Sequence, residues 1–165
     1  MGYTLEELPR PGVFYPEKAL SLGVPRGPLW SALQKGETVE LPSGICISPE
    51  QVLGATRSGR KISYVTDTSF LPEISREVSN SDLFICEGMF TEDLAESAAT
   101  KKHLTALQAA KIAREAGGIK EMGLIHYSPR YMERELKQLL VEAQSIFPNT
   151  FLTRDRQVLP IPFVD

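Results

Sequence analysis

Two carboxylates and a histidine stand at the ends of apolar runs that read as β-strands. Asp67 follows Lys61–Thr66, Glu87 closes the run that starts at Asp82, and His126 follows Glu121–Ile125. If these strands run parallel in one sheet, the three groups collect at one edge, where open α/β sheets place their sites. His103, the only other histidine in 165 residues, precedes a helical pattern at Thr105 and would reach the same rim. Carboxylate and imidazole side by side offer metal ligation. They also offer proton transfer, in which the carboxylate fixes the imidazole tautomer and raises its basicity. Arg130, directly after Ser128-Pro129, adds a guanidinium able to pair with a carboxylate or hold a phosphate at a helix start.

Each residue also has a plainer reading. Asp67, in Thr66-Asp67-Thr68, could simply cap the next helix. His126 taken alone fits a satisfied, partly buried histidine. Cys86 reads as inert packing, although a thiolate is a good zinc ligand. Glu87 is harder to dismiss, because a carboxylate closing an apolar strand needs a partner.

The positioning elements follow from the pattern. Strands are predicted at Lys61–Thr66, Asp82–Glu87 and Glu121–His126, with short terminal strands at Thr150–Thr153 and Val158–Ile161. Helices are predicted at Leu71–Ser79, Thr91–Ala99, Thr105–Ala116 (closed by Gly117-Gly118) and Tyr131–Phe147. The last carries Met132, Leu136, Leu139, Leu140, Ala143 and Phe147 on one face. Thr38–Leu41 and Ile45–Ile47 flank Pro42-Ser43-Gly44 as a hairpin, and Pro49–Leu53 reads as one helical turn. Residues 8–36 are broken by prolines and glycines, which leave room for short helices near Glu17–Leu22 and Leu29–Gln34. They read as a surface loop or as a projecting recognition arm. The fold class is α/β, no internal repeat occurs, and 165 residues fit a single domain.

Composition is that of a globular protein, 42% hydrophobic and 24% charged. A net charge of −3 gives no bulk attraction to nucleic acid, so RNA contact would need a local basic patch. No apolar run approaches the ~20 residues of a membrane span. Cys46 and Cys86 form no C-x-x-C pair, which points to free thiols in a reducing, cytoplasmic setting.

Five segments carry a resemblance to ribonuclease Z, the tRNA 3′-end endonuclease family of the metallo-β-lactamase superfamily. Tyr64-Val65-Thr66-Asp67-Thr68 resembles the family's strand ending in Gly-Asp-Thr, with Thr66 for glycine. Phe84-Ile85-Cys86-Glu87-Gly88-Met89-Phe90 resembles a segment usually written His-Glu-Ala-Thr-Phe; Glu87 and Phe90 match, while Cys86, Gly88 and Met89 depart. His103-Leu104-Thr105-Ala106-Leu107-Gln108-Ala109-Ala110 matches His-Ser-Thr-Ala-x-Gln-Ala-Ala with Leu104 for serine. His126-Tyr127-Ser128-Pro129-Arg130-Tyr131 matches His-Phe-Ser-Pro-Arg-Tyr, and Gly23-Val24-Pro25-Arg26-Gly27-Pro28-Leu29 resembles the Gly-Pro motif of the family's tRNA-gripping arm.

The resemblance implies a fold, a chemistry and partners. The fold would be the C-terminal half of an αββα sandwich: one mixed sheet with helices on one face, plus the arm at 8–36. Asp67 and His126 would ligate zinc, of which the complete family site holds two ions. Glu87 and His103 would form the proton-transfer pair assisting the leaving group, Arg130 would lie near the scissile phosphate, and Arg26, Gly27 and Pro28 would contact RNA. The substrate would be precursor tRNA, with the altered Cys86–Met89 segment permitting another substrate or a different hydrolase of the superfamily. The superfamily's first metal motif, His-x-His-x-Asp-His, does not occur in these residues. A catalytic zinc takes three protein ligands, so this half alone is expected to hold zinc weakly and turn over little. Its uncovered sheet face is expected to seek the N-terminal half of the fold or a second copy, as a homodimer. The remaining alternative is a non-catalytic RNA-binding or assembly module.

Overall fold

A computed structural model describes residues 1–163. The chain forms two compact units, one built from residues 1–6 and 60–163, the other from 7–59. In chain order the elements are β1 (Gly2–Glu6), α1 (Pro16–Ser21), α2 (Pro28–Gln34), β2 (Val39–Glu40), β3 (Cys46–Ile47), β4 (Lys61–Val65), α3 (Glu73–Val78), β5 (Leu83–Glu87), α4 (Ala95–Lys101), α5 (Ala106–Ala116), β6 (Glu121–Ile125), α6 (Glu133–Gln144) and β7 (Thr150–Leu152). Short 3₁₀ turns occupy Pro49–Gln51 and Glu92–Leu94.

The larger unit is a five-stranded mixed sheet in the order β1-β4-β5-β6-β7. β4, β5, β6 and β7 are parallel, and β1 runs antiparallel along β4. All five residues of β5 are buried, so its sequence is a continuous apolar run ending in a carboxylate rather than an alternation. Val65, Phe84, Cys86, Met122 and Leu124 point to one face and pack in one core with α5 and α6. Alanines 106, 109, 110 and 113 form the buried stripe of α5, small enough to seat this helix close against the sheet. Thr105 opens that helix by accepting the Gln108 N–H while Gln108 returns a bond to the Thr105 N–H, and Gly117 closes it at φ +65°. On the opposite face Tyr3, Leu5 and Tyr64 are exposed.

The structure therefore has the mixed α/β sheet with helices that the resemblance implies. Three details differ from the pattern reading. β1 has no local signature, since all five residues are exposed; pairing with β4 makes it a strand, not burial. Val158–Ile161 forms no strand, and Arg60 holds this segment by donating to the Ile161 carbonyl at 3.0 Å. The last long helix starts two residues late, because Ser128–Tyr131 closes a turn and Met132 then donates its N–H to the Glu135 carboxylate at 2.7 Å.

The smaller unit has its own core of Ala19, Val24, Leu33, Val39, Leu41, Ile47 and Val52. Both of its helices begin at proline, which is preset for a first helical turn. Gly27, at φ +144°, turns the chain into Pro28 through a region that only glycine enters readily. The segment 8–36 is thus part of a small packed body that also includes the β2–β3 hairpin.

Candidate active site

Because β4, β5 and β6 are parallel and in register, their carboxyl ends finish side by side. Asp67 lies two residues beyond β4, Glu87 is the last residue of β5, and His126 immediately follows β6. His126 sits at φ +60°, a left-handed conformation costing a non-glycine residue about 1 kcal/mol, and this abruptly turns the chain off the sheet. Lys102 does the same at φ +59° after α4, and the His103 N–H then closes on the Ala98 carbonyl at 2.9 Å. Both histidines are therefore delivered by backbone reversals rather than by regular elements.

Glu87 is fully buried and fully engaged. One carboxylate oxygen accepts the Thr68 N–H at 2.7 Å, and the other lies 3.0 Å from His103 Nδ1. Burial pushes the Glu87 carboxyl above the usual range, while the Thr68 N–H, His103 and the Leu104 N–H pull the other way. A carboxylate on Nδ1 holds the imidazole proton there and leaves Nε2 as the nitrogen for chemistry.

Asp67 and His126 form a second pair, His126 Nε2 to Asp67 Oδ2 at 3.5 Å, with side chains 41% and 57% exposed respectively. The two imidazole rings are 5.2 Å apart at their centroids. One donor atom each from Asp67, His103 and His126 lies within 4.8 Å of the others. Two imidazoles and a carboxylate are a donor set that suits a divalent metal, so these residues fit the ion the resemblance implies.

Arg130 carries its guanidinium 5.2 Å from the ring centroid of buried Phe90, whose ring lies 6.3 Å from that of His103. Lys101 brings a second cation to the same ring, at 5.7 Å. Sequence reading passes over Lys101, although its place two residues before His103 at a helix end was a usable signal. It also passes over Tyr127, whose hydroxyl donates to the Leu124 carbonyl at 2.5 Å and accepts the Thr153 N–H at 2.8 Å. Tyr127 thereby ties the residue after His126 to β6 and to the end of β7.

The structure brings Asp67, Glu87, His103 and His126 together, with Arg130 beside Phe90. Arg26, Gly27 and Pro28 belong to the smaller unit, where the Arg26 guanidinium lies 5.7 Å from the Trp30 ring. The departures at Cys86 and Gly88 have packing reasons; nothing in the structure explains Met89. Cys86 is wholly buried in the core, and burial pushes its thiol far up, out of reach as a ligand. A Cβ on Gly88 would stand 2.9 Å from Leu124 Cδ2 and 3.2 Å from the Ala106 Cα.

No family model matches the chain. Curated relatives do. The ribonuclease Z of Treponema pallidum (strain Nichols) is 55% identical over 163 residues, covering 99% of this chain and 52% of the relative. That of Treponema denticola is 53% identical over 165 residues, 100% of this chain and 53% of its own length. That of Borrelia hermsii is 43% identical over 158 residues, 94% and 49%. Among solved structures, the metallo-β-lactamase fold protein YhfI of Bacillus subtilis superposes with a TM-score of 0.52 at 23% identity. The superposition covers 71% of this chain and 44% of YhfI, a likeness of fold. The chain is a homologue of ribonuclease Z with part of a metallo-β-lactamase fold, and it spans about half the length of the curated relatives it matches.

Proposed function

We propose that these residues are the C-terminal half of a zinc-dependent endoribonuclease that cuts precursor tRNA on its 3′ side. The observation that carries this reading is the buried Glu87–His103 pair, 3.0 Å apart, beside the exposed Asp67–His126 pair at one sheet edge. Asp67 and His126 are the residues that would hold zinc. When bound, zinc polarises a phosphodiester and lowers the pKa of water. Glu87 keeps the His103 proton on Nδ1 and stabilises the imidazolium, so His103 Nε2 can move a proton to or from the leaving oxygen. Arg130 supplies positive charge for the phosphate and is braced against Phe90. The remaining ligands of a two-ion site, on a His-x-His-x-Asp-His motif, would come from the N-terminal half. That half would cover the face bearing Tyr3, Leu5 and Tyr64; a homodimer is the competing cover. A cytoplasmic setting accords with the two free thiols. Among the described residues no helix is long and apolar enough to cross a membrane.

The test is complementation. The 165-residue chain is expected to leave precursor tRNA intact, and co-expression with an N-terminal half carrying the first metal motif is expected to restore zinc-dependent 3′ cleavage. Robust cleavage by the chain alone would sink the half-site reading. A complemented protein that hydrolyses other esters but spares tRNA would make it another hydrolase of the superfamily.

A second reading, an RNA-binding module, has one observation in its favour. In the smaller unit two cations lie over aromatic rings, Arg26 on Trp30 and Lys18 on Tyr15, the latter at 4.6 Å. Its affinity for tRNA should have a shallow salt slope, and loss of binding on deleting residues 8–36 is the result it requires.

A further inference from the structure

The expectation that this chain holds zinc weakly counts two ligands, Asp67 and His126. The geometry brings up a third. His103 is the remaining member of the group whose donor atoms lie within 4.8 Å of one another. Tetrahedral donors about 2.0 Å from zinc stand about 3.3 Å from each other, and the Asp67–His126 pair already has nearly that spacing, at 3.5 Å. His103 needs to close by up to about 1.5 Å, and its neighbours on that side are the two half-exposed side chains. The carboxylate behind it is a separate observation. A metal-bound histidine ordinarily gives its other ring nitrogen to a carboxylate, which orients the ring and strengthens the ligand. Glu87 holds His103 Nδ1 in that arrangement, from a fully buried position fixed by the Thr68 N–H.

We propose that the chain by itself binds one divalent cation through Asp67, His126 and His103 Nε2, with Glu87 as the outer partner of His103. The inference rests on the site reading above and changes one assignment within it. In the isolated half His103 would complete the ligand set; with further donors from an N-terminal half, its Nε2 would be available for proton transfer instead. Metal occupancy of the lone half and catalytic competence are then opposed.

Titrating the chain with Co²⁺, whose visible spectrum separates four-coordinate from six-coordinate sites, tests this. One ion per chain with intense four-coordinate bands, displaced by Zn²⁺, is the expected result. His103→Asn keeps a partner for Glu87 but has no donor at the Nε2 position. It is expected to weaken binding at least about tenfold and to abolish the bands, as is His103→Ala. Glu87→Gln is expected to weaken binding about tenfold with the bands retained. Circular dichroism of each variant checks its fold. His103 variants that fold and bind Co²⁺ with unchanged affinity and bands overturn the proposal, as does a wild-type chain that takes up no stoichiometric ion. The first of those results leaves complemented tRNA cleavage untouched. Conversely, a complemented protein that never cleaves RNA leaves the Co²⁺ result standing, so the two readings fail separately.

Discussion

The two pairs at the sheet edge contrast sharply. Glu87 and His103 are buried, their side chains 0% and 15% exposed, and the carboxylate has a partner for each oxygen. Asp67 and His126, at 57% and 41%, face mainly each other across 3.5 Å. The first pair is complete within this half of the fold. It was built by the core, because β5 is buried on both faces and its last residue inherits that burial. The second hangs on backbone beyond the strands, where nothing in these residues encloses it. On the proposed reading the buried pair is preorganised for proton transfer, while the exposed pair is left open to an ion.

The contrast breaks most visibly in activity. Asp67→Ala in the complemented enzyme is expected to lower precursor tRNA cleavage by at least about 10³-fold, about 4 kcal/mol of transition-state stabilisation. It should move the urea stability of the chain by no more than about 0.5 kcal/mol, since the side chain is exposed. A large loss of stability would mean that this pair, too, is structural. Glu87→Ala should do the reverse in part. It strands the half-buried Thr68 N–H, removes the partner of His103 and leaves a cavity, for a cost of about 3 kcal/mol in equilibrium unfolding.

A smaller effect separates the positioning of His126 from its chemistry. Tyr127→Phe removes both hydroxyl bonds at the β6–β7 junction and is expected to cost about 1 kcal/mol, while Co²⁺ binding persists. Lost metal binding in this variant would show that the His126 turn depends on the clip.

The smallest effect lies at the other end of β5. Asp82 is pushed up by burial, but Lys120 and the Lys61 N–H outweigh this and hold it below its ordinary value of 3.8. A depressed folded value stabilises the fold above pH 3.8, and that contribution is lost as pH falls through the folded value. Because Lys120 is half exposed, its pair with Asp82 contributes less than about 1 kcal/mol. Lys120→Ala should therefore flatten the stability profile below about pH 4 and change little at pH 7. A flat wild-type profile there would remove Asp82 from the account.

The strand ends were legible because apolar runs closed by Asp67, Glu87 and His126 reflect burial directly. Thr105–Ala116 was legible through its cap and its closing glycines. β1 was not, because pairing at an exposed edge leaves no pattern of burial behind. Neither was the left-handed turn at Lys102, whose residue type does not favour positive φ; histidine is among the types enriched there, but too weakly for the type alone to place the turn at His126. The packed body at 7–59 was hidden by its own prolines and glycines, which break elements without preventing a core from closing around Leu33 and Ile47.

By itself the sequence determined which side chains are available: two histidines, the carboxylates at two strand ends, and no first metal motif. It also carried the likeness to ribonuclease Z, through ordered segments spread along most of the chain. Only the tertiary structure decided how those side chains are grouped. Parallel register brings residues 67, 87 and 126 to one edge, and a turn after α4 sets His103 between Glu87 and the exposed pair. Composition along a chain sets chemistry, but distances between residues tens of positions apart are set by packing. Whether His103 stands near Glu87 alone or also within reach of Asp67 and His126 is a matter of an ångström or two, a scale that no linear pattern encodes.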